Sequence, residues 1–324
     1  VPATVSGAPK PIAKLADYPT KPIEIIVPFG PGGGYDAQAR QLAVTMQKIL
    51  GQPLVVKNVP GAGGRIGARE FQRAPADGYT IHYGSDTSLV QGLFVEPADG
   101  FDVDSWIWIV GIRKLPGTIL VGKDAPFRTV QELMTAGQSG QRIRMPHNGT
   151  GGGYFVNNVV LAEALGIKNP AHVGGFQGTA DILPSLIRGD TEVVTFIAPQ
   201  GAMQFIRGGD VRVLASLEPQ RISTLPDVPT ARELNLPNIA DLETIGTTTS
   251  GFAAPPGTPA ERVKLLEEAT LAAILDPEFQ AWGTQTGMIP TELAAMPGAQ
   301  YSAEKKREYA LWRKYEDSAK KAAQ

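Results

Sequence analysis

The chain has 324 residues, 42% of them hydrophobic and 19% charged, so it can bury a sizeable core and suits two domains better than one. A formal net charge of -2 with three histidines gives no basic footprint, which argues against nucleic acid as a partner. The lack of cysteine excludes disulfides, thiolate metal sites and a cysteine nucleophile.

The first seventeen residues, "VPATVSGAPKPIAKLAD", read as a flexible Pro/Ala lead-in (residues 1–17). Val1 in place of Met leads us to expect a mature protein whose signal peptide has been removed. No apolar run reaches the roughly 18 residues of a membrane span. "PIEIIVPF" predicts a strand, and a helix follows over 36–50. Ala39, Leu42, Ala43, Met46, Ile49 and Leu50 form its apolar stripe, and Gly51 is placed to stop it. "PLVVKN" and "YTIHYGS" predict strands on either side of a short helix near 66–71.

A second cycle begins after "WIWIVGIRKLPGTILVG". It runs through "RTVQELMTAG", "RIRMPHNGTGGG", a helix over 154–165, "AHVGGFQGTADILPSLIRG", "TEVVTFIAP" and "VRVLAS". "TIGTTTSGFAAP" adds a strand, and helices over 259–275, 277–287 and 302–321 close the chain. In the last of these Tyr309, Leu311, Trp312 and Tyr315 face inward, with the Lys and Arg residues on a solvated face. The alternation predicts α/β units on a mostly parallel sheet. The strand-rich stretches near 106–122 and 243–254 can each carry the chain between lobes. That divides it into 18–115 plus 247–324 as one lobe, with 116–246 inserted as the second.

Chemistry concentrates in glycine-rich turns at strand-to-helix junctions, where free amides and a helix dipole favour anions. The first is "FGPGGGYD", Phe29 to Asp36. A Walker A loop needs Lys-Ser/Thr after its last glycine, but Tyr35-Asp36 stands there. The Rossmann pattern fails too, with Tyr35 in place of the third glycine, and "GAGGRIG" (61–67) misses it at Ile66. Asp36 would repel an anion unless its oxygens cap helix amides and leave the glycine N–H groups for the ligand. The second loop, "PHNGTGGGYF", offers Asn148 and Thr150 side chains and the backbone of Gly149 and Gly151 to Gly153. His147, beside it, either packs or lines a pocket. A third loop, "YGSDTSLV", is explained as well by helix capping through Ser85 or Asp86 as by ligand binding. In the fourth, "GGFQGTAD", Thr179 can cap a helix or touch a ligand. These loops can converge outside the carboxyl ends of the strands. No His spacing suits a metal, no G-x-S-x-G elbow is present, and His82, Trp106 and Trp108 read as packed in strands.

Taken in order, "YPTKPIEIIVPFGPGGGYDAQARQLA", "LGQPLVVKNVPGAGGRIGA", "APADGYTIHYGS", "NGTGGG", "TLPDVPTARELNL" and "FAAPPGTPAERVKLLEEA" resemble the extracytoplasmic solute receptors of tripartite tricarboxylate transporters, the Bug family, over nearly the whole chain from Tyr18. The resemblance implies an α/β, two-lobe periplasmic binding protein of type II. Each lobe would be a mixed sheet flanked by helices, with the ligand cleft between lobes that close like a flytrap. It implies a periplasmic, non-catalytic monomer without cofactor or metal. The receptor would hold a small carboxylate, a dicarboxylate above all, and deliver it to a membrane permease of large and small subunits. Alternatives are a periplasmic enzyme acting on an organic acid and a receptor feeding a signalling partner. The ligand residues carried over are Phe29, Gly30, Gly32, Gly33, Gly34, Tyr35 and Asp36, with Asn148, Gly149, Thr150, Gly151 and Gly152, and His147 beside the second loop is a further candidate from its position. Ser85, Asp86, Thr87 and Ser88, with Phe176, Thr179 and Asp181, would complete the cavity. Tyr35 departs from the commoner Thr before the Asp, and the Gly152-Gly153 pair leaves room, which admits an aromatic or longer diacid.

Overall fold

The computed structural model describes residues 12–13, 15–32, 34–61, 64–85, 103–150, 152–176, 179–197, 202–286 and 295–324. In chain order, strands β1 (Ile23–Val27), β2 (Leu54–Asn58) and β3 (Thr80–Ser85) alternate with helices α1 (Gly34–Leu50) and α2 (Arg65–Gln72). β4 (Ile107–Gly122), α3 (Val130–Gln138), β5 (Arg142–Pro146), α4 (Gly153–Leu165) and β6 (Asn169–Val173) follow. Next come α5 (Thr179–Arg188), β7 (Val193–Ile197), α6 (Met203–Arg207), β8 (Val211–Ser216) and α7 (Ile239–Ile245). The chain ends with β9 (Thr247–Ala254), α8 (Ala260–Ile274), α9 (Pro277–Thr286), β10 (Met296–Pro297), α10 (Gly298–Lys314) and α11 (Glu316–Ala322).

The described residues form two compact units. The first holds those through 85, 103–114 and 249–309; the second holds those of 115–248 and 310–324. Both strand-rich stretches singled out in the sequence, now β4 and β9, carry the chain from one unit into the other.

In the first unit the strand order is β10-β4-β9-β3-β1-β2. β1 is parallel to β2 and β3, whereas β9 runs antiparallel to β3 and β10 antiparallel to β4. The sheet is therefore mixed where the alternation suggests a mostly parallel one. β1, β2 and β3 are joined in succession through α1 and α2, crossovers of the kind that make strands parallel, whereas β9 and β10 add antiparallel pairs. Ala39, Leu42, Ala43, Met46 and Leu50 of α1 are buried against Ile25, Val27 and Ile81 of the sheet and Leu266 and Ala269 of α8. Each fully buried Leu or Met side chain here contributes about 1.5–3 kcal/mol. The parallel register sets Val27 opposite Asn58, so the carboxyl ends of β1 and β2 emerge side by side.

In the second unit β7 and β8 pair antiparallel with the 117–122 half of β4, and β5 and β6 form a separate parallel pair. α4 buries Phe155, Val156, Val159, Val160, Leu161 and Leu165 and so lies inside this unit. Its near-continuous apolar sequence requires that, because no face of it would suit water.

The C-terminal tail departs from the expected single helix and from the expected lobe. α10 ends at Lys314, and Tyr315 separates it from α11. Residues 310–324 belong to the second unit, where chain order keeps the whole tail with the first. The reason is chemical: Tyr315 Oη and Lys314 Nζ both donate to Asp241 Oδ2 on α7, and this holds the tail there. Tyr309, Trp312 and Tyr315 are buried and Leu311 is half-buried. Lys305 contradicts the solvated reading of the charged residues. It is fully buried on α10, paired with Glu308 at 2.9 Å and bonded to the Thr249 hydroxyl. No helix of the described residues is long and apolar enough to cross a membrane.

Candidate functional site

In the first unit β1 ends at Val27 and the chain turns through Phe29 to Gly32 into α1. The Gly32 N–H donates to Asp36 Oδ2 at 2.9 Å. Asp36 Oδ1 accepts from Asn58 Nδ2 at 2.9 Å and faces Arg40 at 2.9 Å. Asn58 Nδ2 also donates to the Phe29 carbonyl at 3.0 Å, which ties the loop to the end of β2. Burial works against a charged Asp36, but the bonds from Arg40, the Gly32 amide and Asn58 outweigh it, holding its carboxyl below the usual carboxylate range. Asp36 thus takes one loop amide instead of leaving them all open, while Arg40 balances its charge against repulsion of an anion. Tyr35 stacks on Phe29 with ring centroids 4.8 Å apart. A Cβ built on Gly30, Gly32 or Gly34 would meet none of the described residues within 4 Å.

The second unit repeats the strand–turn–helix theme after β5. The His147 N–H donates to the Val173 carbonyl at 2.9 Å, extending the β5–β6 ladder by one bond. The Gly149 N–H donates to His147 Nδ1 at 3.2 Å, so the neutral ring carries its proton on Nε2. Gly149 has φ +105, a left-handed conformation open to glycine and costly for a branched side chain. A Cβ on Gly152 would come within 2.2 Å of Asn148 Oδ1, so only glycine lets Asn148 fold over the start of α4. Asn148 Oδ1 is buried there with no donor among the described residues. Burial lowers the affinity of His147 for a proton, and burial with its His147 neighbour pushes His172 down to about 4. Phe155 packs 5.0 Å from each ring. Both imidazoles are therefore neutral near pH 7. This loop offers polar and N–H contacts without a net positive charge.

Of the remaining expected residues, Phe176 is half-buried on the apolar cluster of the second unit, and Asp181 is exposed in the first turn of α5. Ser85 ends β3 and Thr179 begins α5. Thr150 is half-buried in its loop. Gly33, Asp86, Thr87, Ser88 and Gly151 lie outside the described residues. Among the described residues no group of three or more His, Cys, Asp or Glu side chains gathers as a metal ligand set. A depression of about 320 Å³ lined by Val44, Gln47, Lys48 and Gly51 sits at the opposite end of α1 from the glycine loop. Three participants escaped the sequence reading: Arg40, Asn58 and His172. Arg40 could have been found from its i,i+4 spacing to Asp36. Asn58 and His172 needed the strand registers.

A model of a family described as the tripartite tricarboxylate transporter family receptor matches residues 38–315. The protein BugT of Bordetella pertussis is 30% identical over 254 residues, covering 77% of this chain and 75% of that one. The solved periplasmic binding protein BugD is 28% identical, with a TM-score of 0.74 over 93% of this chain and 98% of its own. The structure of MatC from Rhodopseudomonas palustris with bound malate is 25% identical, with a TM-score of 0.74 over 93% of this chain and 100% of its own.

Proposed function

The chain belongs to the tripartite tricarboxylate transporter receptor family, and from that membership we propose that it captures a small carboxylate, a dicarboxylate above all, in the periplasm. It then delivers the acid unaltered to a membrane permease of large and small subunits. The observation that carries this reading is the shared fold of MatC, which holds malate, matched over nearly the whole of both chains. In the first unit the Phe29–Asp36 turn receives carboxylate oxygens on its backbone donors, with the Asp36 charge already matched by Arg40. In the second, the His147–Gly152 turn supplies donors of the same neutral kind, and Phe176, Thr179 and Asp181 bound the solute. Ser85 to Ser88 play that part in the first unit. The stack of Tyr35 on Phe29 gives one wall an aromatic surface, which supports a flat or longer acid as well as an aliphatic one.

A thermal-shift screen of acetate, succinate, malate, citrate, benzoate and phthalate tests the class, with calorimetry on any acid that raises the melting temperature. We expect at least one diacid to bind, and Gly149→Val to weaken it by about tenfold or more, because a branched residue cannot take that backbone conformation. Silence toward every acid would reject the carboxylate reading. Recovery of a chemically altered acid after incubation would replace capture by turnover.

A further inference from the structure

Gln38 is the fifth residue of α1, two after Asp36, and it is fully buried. Its Oε1 accepts from Tyr83 Oη at 2.5 Å, and Tyr83 Oη lies 3.4 Å from Ser250 Oγ. Its Nε2 is buried with no acceptor among the described residues. A buried, unpaired amide donor is costly, and native cores seldom keep one without a partner such as water or a ligand. Leu or Met would fill this place at no such cost, so the amide needs a reason.

Its position supplies one. Side chains on a helix lean toward the helix N-terminus, so Gln38 reaches back toward the turn that contains Phe29 to Gly34. Tyr83, which anchors it, stands two residues before the end of β3, and Ser250 faces Ser85 across the β3–β9 ladder. On this face of the sheet, residues two apart run from apolar Ile81 and Ala254, through Tyr83 and Phe252, to Ser250. Polarity thus increases toward the carboxyl end of β3, the end at which open α/β sheets take their ligands. Gln38, held by Tyr83, therefore sits in the first turns of α1 beside the end of β3 at which such sheets take ligands.

We propose that Gln38 is a solute-recognising residue of the first unit, whose Nε2–H donates to an oxygen of the bound acid at the head of α1, with Tyr83 fixing the amide's orientation. This rests on the carboxylate-receptor reading above. The test is the double variant Gln38→Met with Tyr83→Phe, which removes both members of the short bond. The empty double variant should melt at or above the wild-type temperature. The panel diacid with the largest wild-type shift should bind it at least about tenfold more weakly, the scale of one hydrogen bond to a charged group. Unchanged affinity overturns the proposal, whatever the melting temperature does. If the double variant does not fold, Gln38→Glu keeps the acceptor for Tyr83 while replacing the donor. Loss of affinity there supports the proposal, and retained affinity overturns it. A wild type that ignores every acid in the panel sinks the carboxylate reading and this inference with it. An acid that the wild type and the variant bind equally well sinks this inference alone.

Discussion

Asp36 gathers three partners at the head of α1. Its two oxygens hold the Gly32 amide, the Asn58 side chain and Arg40, so truncation would strand the Gly32 donor and release Arg40, while Asn58 keeps only its bond to the Phe29 carbonyl. Asp36→Ala should therefore cost about 1–3 kcal/mol, read as a lower midpoint in urea. Because the folded carboxyl titrates below its unfolded value, this contribution is complete above the unfolded value of about 4. It disappears as pH falls through the folded one, and the variant's deficit should shrink in acid accordingly. The histidines act over a higher range. Burial holds His82 down at about 3, and burial with His147 holds His172 at about 4. In the unfolded chain each takes its proton near 6.5, so the unfolded state binds more protons between those values. Stability should hold steady above pH 6.5 and decline as pH falls toward 4, by up to about 1.4 kcal/mol per pH unit for the fully buried His82. His82→Phe should flatten that slope in melting curves between pH 4 and 6.5; an unchanged slope would refute the assignment.

Among the elements, α10 carries the charge least expected from its sequence. "SAEKKREYALWRKYEDSAKKAA" reads as a polar surface helix, and Lys306 and Arg307 are indeed exposed. Lys305, however, lies in the core with Glu308 one turn later and Thr249 of β9 against it. Its ammonium also stands 5.1 Å from the Tyr301 ring centre. Removing one charge leaves the other buried without its ion partner, and Lys305→Met alone should cost about 3–5 kcal/mol. The double change Lys305→Met with Glu308→Leu should recover most of that loss, since apolar replacement of a whole buried pair is often close to neutral. Chemical denaturation of the three proteins measures it. A double variant as unstable as the single would show that the pair orders α10 beyond its own electrostatics. Helix limits were otherwise close to legible: α1, α2, α4, α8 and α9 begin and end within two residues of the sequence reading. Local periodicity and Gly51 suffice for that, because helix ends are set by neighbouring residues. The break at Tyr315 was not legible, since Asp241, which holds that residue, lies far away in the chain.

For the whole molecule, a receptor that binds only when folded gains stability by mass action. At a hundredfold excess over its dissociation constant, the cognate acid should add about 2.7 kcal/mol. The melting temperature should keep rising with the logarithm of acid concentration instead of reaching a plateau, which a titration series will show. The sequence by itself determined the family, the strand–turn–helix order, the places of the glycine turns and most of the buried stripe of α1. Those features follow from composition, spacing and short-range backbone preference, all of which can be read along the chain. The tertiary structure decided what each turn can do. The parallel register of β1 with β2 brings Asn58 to Asp36 and Phe29, and the pairing of β5 with β6 sets His172 beside His147 and Phe155. The packing of α1 on β3 leaves Gln38 with one bond made and one donor unspent. Hydrogen bonding and burial depend on which residues meet across strands and helices, and that is fixed only when the sheet chooses its register.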